Sequence, residues 1–137
     1  MKKIFVDTFY WIEITRPDSD WAEPIKKATA YSRKYLWVTT DEVFTEFMNG
    51  LSPFGPFMRD KAVKVVNAMM ERANLQVVPQ TRDSFRQGLA FYAARSDKDY
   101  SLVDCISMNT MHSQNIDEVL TNDHHFEQAG FQILLKK

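Results

Sequence analysis

The chain has one cysteine, Cys105, so no intramolecular disulfide is available. It lies in Asp104-Cys105-Ile106-Ser107-Met108 with no base near it in sequence, and reads as a small buried core residue rather than a nucleophile. No apolar run reaches the roughly 18 residues of a membrane span. Met1-Lys2-Lys3-Ile4-Phe5-Val6 imitates a signal peptide only briefly. Asp7 and Glu13 interrupt it, and no small-residue cleavage site follows. A soluble, cytoplasmic protein without a membrane partner is expected. Neither charge is in excess, with 17 Lys and Arg against 18 Asp and Glu. That balance argues against a protein that coats DNA nonspecifically, although a nucleic-acid enzyme needs only a local basic surface. There are no repeats, low-complexity segments or linkers. The 137 residues are expected to form a single domain, 1–137.

What is present is the material of a folded core. Hydrophobic residues make up 45%, with ten Phe, five Tyr and three Trp. Charged residues make up 26%, a combination that excludes a disordered chain. The charge is unevenly spread. Arg59 to Lys98 carries eight Lys or Arg against four acids, whereas Asp99 to Leu135 carries six acids and no Lys or Arg. Two readings fit: a basic segment facing an acidic pocket, or ordinary solvated helix faces.

Strand and helix signals alternate. Ile4–Val6, Leu36–Val38, Leu75–Val78, Glu118–Thr121 and Phe131–Leu135 read as short strands. Thr8 is the expected cap of a helix over Phe9–Ile14 ended by Pro17, and Asp20 that of a helix through Tyr31. Thr39 with Glu42 fits a capping box for a helix from about Asp41 to Met48, stopped by Asn49-Gly50. Phe57–Ala73 has Val63, Val66 and Met70 at helical spacing. Thr81 caps a helix to Arg95 with Phe85, Leu89 and Tyr92 on its expected buried side. Ser101 and Asp104 form another capping box, and a short helix from His124 ends at Gly130. The alternation predicts an α/β fold: a three-layer α/β/α sandwich with a mainly parallel central sheet. Such folds place their functional crevice at the carboxyl ends of the strands.

Four acids fall at that edge. Asp7 ends the first strand, Asp123 follows the fourth, and Glu46 and Asp104 lie early in helices that start there. Gathered together, four carboxylates repel one another and call for hard cations. Oxygen ligands suit Mg²⁺ or Mn²⁺ rather than Zn²⁺. A bound cation of that kind positions a phosphate and activates water. Plainer duties are also available: Asp104 as a capping-box acid, Glu46 as a solvated helix residue, Asp123 as a turn or cap. Glu42 shares a face with Glu46, and Asp99 sits in Asp97-Lys98-Asp99-Tyr100; both are supporting candidates. His124 and His125 read as exposed residues at a helix start. Arg82, Arg86, Arg95 and Lys98 are candidates for contact with a phosphate backbone.

Val6-Asp7-Thr8, Val43-Phe44-Thr45-Glu46, Ser101-Leu102-Val103-Asp104 and Leu120-Thr121-Asn122-Asp123-His124-His125-Phe126 resemble, in order, the four motifs of the PIN-domain family. Many bacterial members are VapC-type toxins of toxin–antitoxin pairs. The resemblance spans nearly the whole chain, and its specific part is the ordered set closing on Thr-Asn-Asp-x-x-Phe. It implies an α/β/α fold and an Mg²⁺- or Mn²⁺-dependent endoribonuclease. Asp7, Glu46, Asp104 and Asp123 would be the catalytic acids, with metal on Asp7, Asp104 and Asp123 and support from Thr121. RNA is the expected substrate, an antitoxin protein and a homodimer the expected partners. The alternative is a non-catalytic PIN-like module that binds RNA or protein. A haloacid-dehalogenase phosphatase wants a second acid where Phe9 stands, and a receiver domain wants a late strand-end Lys that is missing before Lys136.

Overall fold

Five apolar runs pair into one parallel sheet in the computed structural model, which describes residues 1–137. The strands are β1 (Lys3–Val6), β2 (Leu36–Thr40), β3 (Leu75–Val78), β4 (Glu118–Leu120) and β5 (Gln132–Ile133). Their order is β3-β2-β1-β4-β5, and every pairing is parallel. Parallel strands need crossover helices, which cover both sheet faces. The central strands are therefore apolar on both sides, and Ile4, Phe5 and Val6 are fully buried. The crossovers and flanks are α1 (Thr8–Thr15), α2 (Ala22–Ser32), α3 (Asp41–Leu51), α4 (Pro56–Met70), α5 (Arg82–Ala94), α6 (Leu102–Ser113) and α7 (His124–Gln128). Trp11, Phe5, Phe47 and Phe126 are the bulkiest members of the core.

The strand order positions the site. The chain winds outward from β1 through β2 to β3, then returns past β1 to lay down β4 and β5. The direction of winding reverses between β1 and β4. At such a switch point the two connecting segments diverge to opposite faces and leave a crevice at the strands' carboxyl ends. Asp7 follows β1 there, and Thr121 to Asp123 follow β4.

Several helix boundaries differ from the sequence expectation. The helix α1 starts at Thr8 itself, with Asp7 at the cap position making no side-chain cap bond. Asp20 does not cap α2; the Trp21 N–H donates to Ser19 Oγ instead. The strand β2 runs on to Thr40, which pairs with Val78. That extension moves the α3 cap from Thr39 to Thr40, whose hydroxyl accepts from the Val43 N–H. Thr39 Oγ1 instead donates to the Val6 carbonyl and ties β2 to β1. Asn49-Gly50 does not stop α3, which continues to Leu51. Gly50 lets α1 approach, since a Cβ there would stand 3.2 Å from Ile12 Cδ1.

Helices α4 and α5 show a second difference. Their apolar spacing marks the buried side only in part: Val66 packs against the core and Phe85 is half-buried. Val63 and Met70 are exposed while Ala62 is buried, and Leu89 and Tyr92 are 44% and 53% exposed. Gly88 is what packs α5 on α6: a Cβ there would fall 2.5 Å from Ile106 Cγ1. The Thr81 cap, the Ser101–Asp104 capping box, the burial of Cys105 and the stop at Gly130 are as read from the sequence.

Candidate metal centre and active site

The site is assembled from four pieces of chain. Asp7 leaves β1 and is almost fully buried. Its Oδ2 accepts a hydrogen bond from Thr121 Oγ1 at 2.9 Å, across the β1–β4 switch point. The same Thr121 oxygen accepts from the Asp123 N–H at 3.1 Å. One hydroxyl thus fixes both Asp7 and the start of the β4–α7 turn. Asp123 Oδ1 then caps α7 by accepting from the His125 N–H at 2.9 Å. Asn122 Nδ2 donates to the Leu135 carbonyl and anchors the same turn to the final segment.

Asp104 enters from the first turn of α6. Its Oδ2 accepts from the Ser101 N–H at 3.1 Å, which closes the capping box. His125 Nδ1 lies 3.0 Å from the same oxygen and 3.4 Å from Asp123 Oδ1. An ionised carboxylate only accepts, so with Asp104 charged Nδ1 carries the proton. Both bonds use Oδ2 and leave Oδ1 for other partners. The capping duties of Asp104 and Asp123 therefore coexist with their place in the cluster: each cap uses one carboxylate oxygen and fixes the direction of the other.

Glu46 reaches the same hollow from the second turn of α3. Asp7, Glu46, Asp104 and Asp123 all line it, with Thr8, Ser101, Asn122 and His125, and it encloses about 500 Å³. No Lys or Arg lines it. The electrostatics follow. Burial pushes the Asp7 carboxyl up to about 7; the Thr121 hydroxyl and the Thr8 N–H oppose the rise, and Asp104 and Glu46 add to it. Burial also raises Glu46 and Asp104, reinforced by their acidic neighbours, and His125 partly offsets the rise at Asp104. These are the signatures of carboxylates held in low dielectric without a full complement of cations.

The donor set fits a hard divalent ion. One oxygen each from Asp104 and Asp123 and one nitrogen of His125 lie within 4.8 Å of one another. Asp7 and Glu46 add further carboxylate oxygens to the same hollow. The Thr8 hydroxyl is buried and completes no hydrogen bond, although it lies close enough to Glu46 to favour its ionised form. A buried hydroxyl without a protein partner beside a carboxylate cluster fits a site that binds an ion or water.

The model of the PIN domain matches residues 4–132, nearly the whole length and all four acids. The chain belongs to the PIN-domain family. Among solved structures, the PIN domain here superposes on Mycobacterium tuberculosis VapC20, a sarcin–ricin loop cleaving toxin, with a TM-score of 0.81 at 23% identity. That match covers 93% of this chain and 95% of the other. FitAcB from Neisseria gonorrhoeae superposes with a TM-score of 0.62 at 15% identity, covering 96% of each. No curated protein matches the sequence.

The remaining sequence candidates are scattered by the PIN fold. Glu42 does not line the four-acid hollow; it lines a neighbouring one, shared with Glu46. Asp99 is exposed and outside both. Arg82 and Arg86 are exposed on α5, and Arg82 borders a shallow hollow beside Phe85. Arg95 is bound to Asp97 at 3.0 Å and lies over the Tyr100 ring, while Lys98 is half-buried. His125 is the residue that sequence reasoning undervalued. Its only sequence signal is adjacency to Asp123; its partner Asp104 is 21 positions away. His124, by contrast, turns outward to Glu127. No helix is long and apolar enough to cross a membrane.

Proposed function

We propose that this PIN domain is an Mg²⁺- or Mn²⁺-dependent endoribonuclease and the toxin of a toxin–antitoxin pair. The observation that carries the reading is the hollow of four carboxylates with no lysine or arginine among its lining residues. Asp7, Asp104 and Asp123 would hold the ion. When bound, it supplies charge to position a phosphate and to lower the pKa of a water. Glu46, on the α3 side, would orient a water and accept its proton. Thr121 keeps Asp7 directed into the hollow, and the His125 imidazole holds the Asp104 carboxylate.

RNA in single strands or loops is the favoured substrate class, because its bases are accessible whereas an A-form duplex hides them. That VapC20 is a loop-cleaving toxin supports the same choice. Arg82, Arg86 and Lys98 would meet RNA phosphates, a reading supported by the exposure of the two arginines; Arg95 is engaged by Asp97. Phe57, Val63 and Met70 on α4, with Leu89 and Tyr92 on α5, supply exposed apolar surface for the antitoxin and for a second copy of the chain. Purified protein should cut single-stranded RNA with Mn²⁺ and lose that activity in EDTA. No cleavage with Mn²⁺, together with no calorimetric Mn²⁺ binding, would assign the chain to the non-catalytic alternative.

A further inference from the structure

A second hollow, of about 310 Å³, lies between α3, α5 and α6. It touches the carboxylate hollow through Glu46, which lines both. Its volume sits at the small end of ligand sites, room for one nucleobase and its sugar. The walls are flat and apolar, with Phe85 from α5 facing Leu102 and Ile106 from α6. Gly88 sets the spacing by letting α5 press on Ile106. The polar lining residues are Glu42, Thr45, Glu46 and Asn49 from α3 and Gln80 from the loop before α5.

Glu42 is the unusual member. It is 8% exposed, and its Oε2 is buried with no hydrogen-bond partner. Such an oxygen costs free energy until a donor reaches it. No lysine or arginine lines the hollow to supply one. The missing partner must bring donors, fit between apolar walls and accept a bond from an amide.

We propose that this hollow seats a guanine base of the RNA, with the Glu42 carboxylate turning out of its buried position to accept from N1–H and the N2 amino group. The assignment rests on the ribonuclease reading. Guanine alone among the four bases presents two adjacent donors on its Watson–Crick edge, the spacing that a carboxylate meets with both oxygens. Its O6 accepts from the amide of Asn49 or Gln80, and its face packs on Phe85, the mode by which unstacked bases are read. Adenine and cytosine offer one donor beside an acceptor, and uracil one donor between two acceptors. Each leaves a Glu42 oxygen unmet or opposed. An arginine of a protein partner also has paired donors, but it has no acceptor for the amides. Glu46 then connects the bound base to the metal centre, so that a guanosine fixed here places an adjoining phosphate over the acids.

Binding and cleavage separate this inference from the nuclease reading. Metal-free protein, titrated by calorimetry with GMP, IMP and AMP, should bind GMP about tenfold or more tightly than the others. IMP lacks only the N2 amino group, so the ratio measures one bond to a charged acceptor. Glu42→Gln should collapse the GMP-to-IMP ratio towards one. Phe85→Leu should weaken all three nucleotides while keeping the ratio, and melting curves check that both variants fold. With Mn²⁺, oligoadenylate carrying one guanosine should be cut beside it, and less so when inosine replaces it. Equal binding of GMP and IMP, or a ratio that survives Glu42→Gln, overturns the proposal. Cleavage without base preference overturns it too while leaving the nuclease intact. Selective GMP binding without cleavage of any RNA sinks the nuclease reading and keeps the base site. Arginine amide binding at Glu42 in place of GMP gives the hollow to a protein partner and refutes the guanine assignment.

Discussion

The two ends of the sheet each bury a carboxylate, and they treat it in opposite ways. At the amino end, Glu118 of β4 is nearly buried, but Lys2 forms an ion pair with it and the Tyr31 hydroxyl donates to Oε2 at 2.9 Å. The attraction is mutual, and Lys2 is held well above the usual lysine range. At the carboxyl end, Asp7 is as deeply buried; it accepts from Thr121 and shares its hollow with three more acids, Thr8, Ser101, Asn122 and His125. Its carboxyl rises to about 7. Glu118 has its own cation, whereas no lysine or arginine lines the carboxyl-end hollow. A buried acid with its own cation explains structure, whereas a set of buried acids without one explains a ligand.

The largest test of that contrast exchanges one acid at each end. Asp7→Ala should cut Mn²⁺-dependent cleavage by at least the roughly 10–100-fold that even outer partners of metal ligands are worth. Glu118→Gln should leave cleavage intact and lower the melting temperature, because Lys2 loses its counter-charge and one of the two acceptor oxygens becomes an amide donor. Comparable cleavage losses in the two variants would erase the distinction. Next in size, His125→Ala should weaken cleavage about 10–100-fold by freeing the Asp104 carboxylate. His124→Ala, on the outward neighbour, serves as the control and should change little.

Thr121→Val should act more mildly, about tenfold on Mn²⁺ affinity, since it removes one hydrogen bond to a charged group together with the acceptor of the Asp123 N–H. Calorimetry reads this directly, and an unchanged affinity would mean that Asp7 is held by its backbone alone. The smallest effect belongs to the basic segment. Arg86→Ala with Lys98→Ala should weaken single-stranded RNA binding and flatten its dependence on log salt by about 1.4, two phosphate contacts' worth. Mn²⁺ binding should not move. A salt slope equal to that of the parent protein would place these side chains on a solvated face.

How far the sequence carried the fold depended on whether neighbouring residues or distant ones decide each feature. The strands are bounded by local chemistry, and their alternation with helices leads to a parallel sheet and its carboxyl edge. The Ser101–Asp104 box closes over three residues and was readable for that reason. Thr39 and Thr40 are locally equivalent caps. The choice between them is made by β3, which extends β2 by pairing Val78 with Thr40. The faces of α4 and α5 misled for a related reason: apolar spacing marks a face, but burial depends on which distant elements pack on it, and Val63, Met70, Leu89 and Tyr92 stay exposed. His125 needed α6 to bring Asp104 to it, and the unpaired Glu42 oxygen is visible only once α3, α5 and α6 are packed.

The central claim is that the carboxyl-end hollow is short of positive charge, and pH is the direct probe of it. Asp7 titrates near 7 when folded, against an ordinary value of 3.8. The folded state therefore binds its proton more tightly than the unfolded chain does. Between about pH 4 and 7 it carries more protons, so the stability of the metal-free protein must fall as pH rises through that window and stay low above it. Glu46 and Asp104 are raised as well and contribute with the same sign. The decisive measurement is thermal melting of the parent protein and Asp7→Asn, in EDTA and in Mn²⁺, from pH 5 to 8. In EDTA the parent should lose melting temperature across the range, and Asp7→Asn should lose less and melt higher at pH 8. Saturating Mn²⁺, at 100 times its Kd, should return about 2.7 kcal/mol to the parent and little to the variant. A parent protein indifferent to both pH and Mn²⁺, with Asp7→Asn melting lower at pH 8, would contradict the account.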